Sequence, residues 1–217
     1  MFWPSFNGAL ATFDQQQRVI VNTVLAISAS CISACACSRI FKGKLDMEVV
    51  LNATLAGGVS VGSSSDLVVT GGTAMAIGAL AGIVSCVGFL YLSEFLREKI
   101  GLHDTCGVHN LHGLPGVLGA VIGAISASLA DTAFDNEEAL FATFSELGEG
   151  RTTSEQGWFQ MAALGITLGI SITGGALTGF LCSRFGNLEE LFDDKQHFLH
   201  AEYDLAVEVE MAGNPVT

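Results

Sequence analysis

The residues with the greatest capacity for chemistry lie close together, in the segment His103–Gly116, which reads HDTCGVHNLHGLPG. Its histidines could donate or accept hydrogen bonds, move protons or bind a metal. His112 follows Asp104 by eight residues, which is about 12 Å along a helix. Asp104 is well placed to cap the amino terminus of that helix, where its carboxylate receives free backbone N–H groups. We therefore expect His112 to be the functional side chain of this segment.

Two chemical alternatives for the same residues are weaker. His109 and His112, three residues apart, could face one metal ion, but Asp104 and Cys106 cannot converge with them from one continuous helix. No second group of Cys, His, Asp or Glu lies within another apolar stretch to complete a site. A Ser–His–Asp hydrolase has no nucleophile motif here. We expect no metal, no cofactor and no enzymatic activity.

Glycines share the helix face of His112. Gly116, Gly119 and Gly123 follow it by 4, 7 and 11 residues, so the four positions form one stripe. Pro115 lacks a backbone N–H and frees the carbonyl four residues earlier, which predicts a kink at this point. His112 then either forms a structural hydrogen bond with a closely packed helix or lines a narrow lumen.

Composition predicts the elements that hold this segment. Of 217 residues, 14% are charged and 50% are hydrophobic, and the mean hydropathy is +0.50. A soluble domain carries about 25% charged residues, so a membrane protein is indicated. The formal charge of −13 argues against nucleic acid as a partner. The cysteines at 31, 35 and 37 fall within one apolar run and are expected to be small buried residues rather than disulfides.

Five stretches without a charged residue are each about as long as a membrane-spanning helix requires. They are residues 19–38, 49–65, 67–93, 105–130 and 156–183. Because they show no period-2 alternation, helices are favoured over barrel strands. We expect an all-α polytopic membrane protein with five full transmembrane helices.

Residues 1–13 are apolar but too short to cross a bilayer. They are either an interfacial anchor that uses Phe2 and Trp3 or the outer half of a sixth helix whose beginning is absent from this chain. We expect a transmembrane region at 1–185 and an acidic tail at 186–217, which holds eight acidic residues. We expect this tail to be a solvated segment rather than a binding site for a cytoplasmic partner.

Basic residues indicate the orientation. If five helices alternate, seven fall on one side and two on the other. The seven are Arg39, Lys42, Lys44, Arg97, Lys99, Arg184 and Lys195, and the two are Arg18 and Arg151. The majority side is expected to be cytoplasmic. The tail is then inside, and the acidic loop 131–155 is outside.

Glycine pairs four residues apart predict close helix packing. They are Gly58/Gly62, Gly78/Gly82, Gly119/Gly123, Gly165/Gly169 and Gly175/Gly179.

At the histidine segment, the sequence resembles the Rh (Rhesus-glycoprotein) branch of the ammonium transporter family. The stretch DTCGVHNLHGLPG at 104–116 is similar to the DTCG…LHG.PG signature of that branch. Further similar stretches are MFWPSFN at 1–7, KLDM at 44–47, NATLAGGVSVG at 52–62 and GFLYLSEFL at 88–96. The resemblance covers essentially the whole hydrophobic region, and stretches of this length are highly specific.

The resemblance implies a plasma-membrane homotrimer in which each subunit has its own pore between two inverted five-helix repeats. The chain is similar to the second repeat and the last helix, with a partial helix before them. The first repeat has no counterpart here, so the chain is expected to be a fragment, a short isoform or an incomplete gene model. The implied function is an ammonium/ammonia channel, with CO2 as a further possible permeant.

Individual pore roles follow from the same resemblance. His112 matches the second of two pore histidines, and Phe6 matches one of two phenylalanines that close the outer mouth, with Asn7 following it. Asp104 matches a buried acidic residue at the inner end of the histidine helix, and Asp46 matches an acidic position on the cytoplasmic side.

Two positions depart from the family pattern. His109 stands where many members have Asn and could add a proton acceptor near the inner vestibule. Arg97 stands where an acidic residue is common, which weakens any acidic guidance of the ligand towards the cytoplasm. The alternative function is a non-conducting membrane subunit that assembles with full-length channels or regulates them.

Overall fold

The computed structural model describes residues 2–68, 70–130 and 137–185, and the regular elements in these ranges are all helical. The chain divides into two compact units, residues 1–169 and residues 170–217. In the second unit a helix ends at Cys182, and the Arg184 guanidinium lies 4.5 Å above the Phe180 ring centroid. The acidic tail 186–217 lies outside the described residues, so the expected boundary at residue 185 stays a prediction.

Nine α-helices follow one another in the described part of the chain. They are α1 (Trp3–Gly8), α2 (Phe13–Lys42), α3 (Met47–Asn52), α4 (Ala56–Val61), α5 (Gly71–Val87), α6 (Ser93–Ile100), α7 (Leu114–Ser128), α8 (Glu137–Thr143) and α9 (Thr153–Cys182). A 3-10 turn at Ala53–Leu55 joins α3 to α4, and π-helical turns at Gly88–Leu92 and His109–Gly113 lead into α6 and α7.

Within the described ranges, four helical segments are long and apolar enough to cross a membrane. They are Gln15–Lys42, Gly71–Ile100, His109–Ser128 and Thr153–Cys182. These segments correspond to four of the five stretches without charge, and they confirm the helical, multi-pass prediction. The fifth stretch, 49–65, forms only the shorter apolar helix Met47–Val61. The predicted number of five full spans is therefore not confirmed.

Local sequence explains where the segment Met47–Val61 begins and ends. The Asp46 carboxylate caps its first turn by accepting hydrogen bonds from the backbone N–H groups of Glu48 (2.9 Å) and Val49 (3.3 Å). After Val61 the run Gly-Ser-Ser-Ser-Asp forms turns, in keeping with the turn preference of these residue types. The stretch without charge is thus longer than the helix, because polar uncharged residues end it.

Helices α2 and α5 run parallel to each other and form the centre of the fold. Gly78 faces Ala26, and the pair that follows along both helices is Gly82 and Ser33. Near their ends, the rings of Phe41 and Tyr91 are 6.0 Å apart in an edge-to-face arrangement. Because the two helices are parallel, the basic end of α2 lies on the same side of the molecule as α6, which continues the segment of α5 and carries Arg97 and Lys99. This placement agrees with the predicted clustering of basic residues.

Small residues allow the close packing that the glycine spacing predicted. A Cβ on Gly78 would lie 2.0 Å from the Ala26 carbonyl oxygen, and one on Gly119 would lie 2.8 Å from the Ser60 carbonyl oxygen. Only residues without a side chain fit at such approaches. The pattern is not uniform, because a Cβ on Gly165 or Gly169 would meet no atom within 4 Å among the described residues.

Two clusters of buried side chains lie between α2, α5 and the segment Met47–Val61. One consists of Ala26, Val61, Val68, Ala74 and Ile77, and the other of Ala34, Cys37, Val49, Ala53 and Cys86. The cysteine prediction is confirmed for Cys37, which is buried, whereas Cys31 is exposed. The core consists mostly of alanine and valine, which keeps the helix axes close together.

Candidate functional site

A cavity of about 940 Å³ lies beside the helical segment His109–Ser128, which carries His112 and is called the histidine helix below. Its lining combines the aromatic side chains of α1, the first turns of α2, the turn after α4, the end of α8 and His112. The volume is at the upper end of the range for small-molecule sites. The structure therefore brings together His112, Phe6 and Asn7, three of the six residues predicted to serve the pore.

The turn that carries His112 is built from predicted features. The Asp104 carboxylate accepts hydrogen bonds from the backbone N–H groups of Val108 (3.0 Å) and His109 (2.9 Å), which confirms its capping role. Just ahead of Pro115 the backbone widens into a π-helical turn, in which the Leu114 N–H bonds to the His109 carbonyl. The proline removes one donor, and the wider turn accommodates this loss.

Two serine hydroxyls hold the histidine helix against the segment of α4 and the turn after it. Ser60 donates to the Pro115 carbonyl at 2.9 Å, and Ser63 donates to the Gly119 carbonyl at 2.7 Å. Both bonds lie where glycine allows the backbones to approach. These two bonds fix how far α7 is shifted along its axis and how it is rotated. They thereby also fix the position of His112 at the cavity.

His112 is exposed, and the glycine one turn further along its stripe is also open. A Cβ on Gly116 would meet no atom within 4 Å among the described residues. Further along the same stripe, Gly119 and Gly123 pack against Ser60 and Ser63. The two sequence-based alternatives for His112, a packed interface and a lumen, therefore both stay predictions. The ring of His112 stacks on the Trp3 indole, with centroids 6.2 Å apart and planes inclined by 17°.

Helix α1 is held in place by Asn7. Its side-chain amide donates to the Thr23 hydroxyl and to the Gly58 carbonyl, both at 3.1 Å. Both amide protons are therefore used within the protein. Phe6, the neighbouring residue, is 78% exposed, and its ring centroid lies 6.4 Å from that of Trp3. The aromatic pair forms one wall of the cavity.

Polar groups line the part of the cavity that lies away from His112. Gln15 donates to the Thr143 hydroxyl at 3.3 Å, and Arg18 donates to the backbone carbonyl of Asp66 at 3.0 Å. Burial raises the pKa of the Asp66 carboxyl above its ordinary value. The cavity thus has an aromatic wall near the histidine and a polar region containing one carboxyl group.

The other predicted site residues lie outside the cavity lining. His109 is half-buried, and its Nδ1 lies 3.3 Å from the Asn110 side-chain oxygen. Both carboxylate oxygens of Asp104 are used in the cap. Asp46 caps α3 and pairs with Lys42, whose hydrogen bond lowers the pKa of the Asp46 carboxyl. The structure places these three at the helix ends, where they support the fold around the site.

Sequence reasoning missed two residues of the site. Trp3 was considered only as an interfacial aromatic, although its spacing of four from Asn7 places both on one helix face. Asn110 is fully buried, donates to the Ser93 hydroxyl at 2.6 Å and accepts from the Ser85 hydroxyl through its backbone carbonyl at 2.7 Å. It fixes the turn that carries His112 to the neighbouring helix, and no local signal predicts those partners.

Among the described residues, no three His, Cys, Asp or Glu side chains lie close enough together to hold one metal ion. The cavity lining offers hydrogen bonding by an imidazole and by hydroxyl and amide side chains, aromatic contact and one carboxyl group.

Comparisons with known proteins match nearly the whole chain. The sequence model of the Ammonium Transporter Family matches residues 1–202. Ammonium transporter Rh type B of Oryzias latipes is 45% identical over 185 residues, which is 83% of this chain and 40% of that protein. Ammonium transporter Rh type C of Canis lupus familiaris is 41% identical over 186 residues, again 83% of this chain and 40% of that protein. The chain thus spans about 40% of the length of these curated relatives.

A solved structure has the same fold. The Rh50 protein of Nitrosomonas europaea, described as a member of the Rhesus protein family of channels, matches with a TM-score of 0.71 and 33% sequence identity. The match covers 97% of this chain and 51% of that chain.

Proposed function

The chain belongs to the ammonium transporter family, and from that membership we propose that it forms the second half of a transmembrane ammonium/ammonia conduit of Rh type. The observation that carries the proposal is the exposed His112 imidazole, which lines a cavity of about 940 Å³ together with Phe6. An ionisable side chain in a membrane-spanning helix marks a functional site when it faces a cavity.

The chemistry of the ligand fits these side chains. Moving NH4+ through hydrocarbon is prohibitive, because an isolated charge is very costly in a medium of low dielectric constant. Loss of a proton converts it to NH3, which is neutral but still requires hydrogen-bond partners. A neutral imidazole supplies one donor and one acceptor. His112 therefore binds the ligand, passes it on and takes part in moving its proton.

Phe6 acts as an apolar gate beside the histidine. An exposed aromatic ring at the cavity excludes hydrated ions and offers its face to a cation. Asn7 contributes by fixing α1, so that Phe6 keeps its place. Asp104 and Asp46 support the conduit by capping the helix ends that they accept hydrogen bonds from. His109 lies near the inner vestibule and serves as an additional proton acceptor.

The wider assembly follows the family plan. We propose that Met47–Val61 crosses the membrane as a fifth, shorter span and that the acidic tail beyond residue 185 is cytoplasmic. We also propose a homotrimer in the plasma membrane, with CO2 as a further permeant. The relatives contain additional chain beyond the part that matches here. We propose that a first repeat of that kind closes the open side of the cavity.

A flux measurement in liposomes tests this function. The chain is reconstituted alone and as a completed chain, in which the preceding segment of the Oryzias latipes relative is joined to residue 1. Internal alkalinisation is followed after an inward ammonium gradient is applied. We expect no specific flux from the chain alone, clear flux from the completed chain and altered flux after His112→Ala. His103→Ala is the matched control, because His103 is an exposed histidine outside the cavity.

The outcomes separate the two candidate functions. If the completed chain conducts and His112→Ala leaves the flux unchanged, His112 is a structural residue and the proposal is wrong. If this chain conducts in no form but reduces flux when it is co-reconstituted with the full-length relative, the non-conducting regulatory subunit is the correct function.

A further inference from the structure

The indole of Trp3 is the aromatic neighbour of His112. The two rings are stacked with centroids 6.2 Å apart and planes inclined by only 17°. Histidines that act on a ligand are usually oriented by a hydrogen bond from their second ring nitrogen. Among the described residues, neither ring nitrogen of His112 has a hydrogen-bond partner. The stacking contact is therefore what orients the ring in this part of the chain.

The indole also lies against the backbone of α4. A Cβ on Gly58 would lie 2.6 Å from both Cδ1 and Nε1 of Trp3. Only glycine leaves room for the indole at this position. The Gly58 carbonyl also accepts the hydrogen bond from Asn7, so one residue of α4 receives two side chains of α1. Trp3 is thus in contact with the backbone at Gly58 as well as stacked with the imidazole.

Ring stacking has a directional consequence for a histidine. The N–H and the lone pair of an imidazole lie in the plane of the ring, so the orientation of that plane determines where a ligand can form hydrogen bonds. The indole lies nearly parallel to the imidazole and offset from it, so it restricts the tilt of the ring while His112 still lines the cavity.

We propose that Trp3, seated on Gly58, is a positioning residue that sets the plane of the His112 imidazole and thereby directs its nitrogens towards the ligand path. This inference rests on the role proposed above for His112 in the channel. Trp3 then serves the site by contacting the His112 imidazole and not by anchoring the chain in the membrane interface.

Fluorescence of the chain as it exists tests the contact. The chain has two tryptophans, and Trp158→Phe leaves Trp3 as the only one. A protonated imidazole in contact with an indole quenches its emission. In detergent-solubilised Trp158→Phe protein, we expect the emission of Trp3 to be about twofold lower in acid than at neutral pH. His112→Gln should remove this pH dependence, and Gly58→Ala should weaken it by displacing the indole.

Matched variants identify the source of the signal. Asp66 lines the same cavity and His109 lies one turn earlier on the histidine helix, so Asp66→Asn and His109→Gln are measured in the same background. Neither should remove the quenching. The Trp3→Phe protein reports the exposed Trp158 instead and should show no such dependence. A pH-independent Trp3 signal, or one that persists in His112→Gln, overturns the positioning proposal.

Flux measurements then separate this inference from the channel function. In the completed chain, Trp3→Phe retains an aromatic ring and should conduct within about twofold of the parent, whereas Trp3→Leu should lose about tenfold. Equal flux in Trp3→Leu and the parent overturns the role of Trp3 in transport. If quenching depends on His112 but His112→Ala conducts normally, Trp3 still positions His112, and the channel role of His112 is what fails.

Discussion

A methyl group added at Gly78 tests whether the fold depends on contact between the α2 and α5 backbones. In Gly78→Ala, the new Cβ would lie 2.0 Å from the Ala26 carbonyl oxygen and 2.6 Å from the Ala26 carbonyl carbon. Ordinary contacts begin at 3.4 Å, so the two helices must separate by about 1.4 Å. Because the obstructing atoms belong to the backbone, no change of rotamer can relieve the collision.

The expected loss of stability is large for one methyl group. Overpacking a tight core typically costs about 1–3 kcal/mol, and we expect Gly78→Ala to lose about 3 kcal/mol because the whole contact between the helices has to open. The free energy of unfolding is measured in mixed detergent micelles by titration with a denaturing detergent and circular dichroism.

A second glycine of the same kind provides the control. Gly165 lies in α9, and a Cβ there would meet no atom within 4 Å among the described residues. Gly165→Ala should be neutral or stabilise the helix by up to about 1 kcal/mol, through the lower entropy of alanine. Equal unfolding free energies for Gly78→Ala and Gly165→Ala would refute the inference that the α2–α5 contact requires glycine.

The remaining predictions concern hydrogen bonds and charges. Ser60→Ala should destabilise the protein by about 1 kcal/mol in the same assay, because the buried hydrogen bond from the Ser60 hydroxyl to the Pro115 carbonyl is lost. The exposed Ser28→Ala should change the stability by less than about 0.5 kcal/mol. The Asp46 pKa is lowered, so its contribution to stability is present above the ordinary pKa and is lost as pH falls; Asp46→Asn should destabilise at neutral pH and converge with the parent in acid. The Asp66 pKa is raised, so burial of its charge costs stability as pH rises; Asp66→Asn should stabilise at neutral pH, and its advantage should shrink in acid. Thermal unfolding at several pH values checks both, and the same sign for the two variants would contradict this reasoning.

Sequence patterns predicted the features that depend on neighbouring residues. The absence of charge located four long helical segments, because hydrocarbon excludes charged side chains over a fixed length. The cap by Asp104 and the irregular turn before Pro115 also follow from local chemistry. Glycine spacing predicted close packing at Gly78 and Gly119, where another helix is present, but not at Gly165, because spacing alone does not show whether a neighbour exists.

Features that depend on tertiary contacts were not predictable. The stack of Trp3 on His112 joins residues that are far apart in sequence, and it requires Gly58 on a third segment. The polar part of the cavity likewise depends on Gln15 meeting Thr143 across the fold. The end of the helix at Val61 could have been predicted, because the Gly-Ser-Ser-Ser-Asp run that follows is a turn signal. The first four residues of this run are uncharged, so the distribution of charge does not reveal it.

The short segment Met47–Val61 sets a limit on the fifth membrane span that we propose. Its 15 residues extend about 22 Å, whereas the hydrocarbon layer is about 30 Å thick. The difference is about 8 Å. In the fifth span that we propose, the hydroxyl-rich turn after Val61 would therefore lie below the membrane surface rather than level with it, within reach of water that enters from that side.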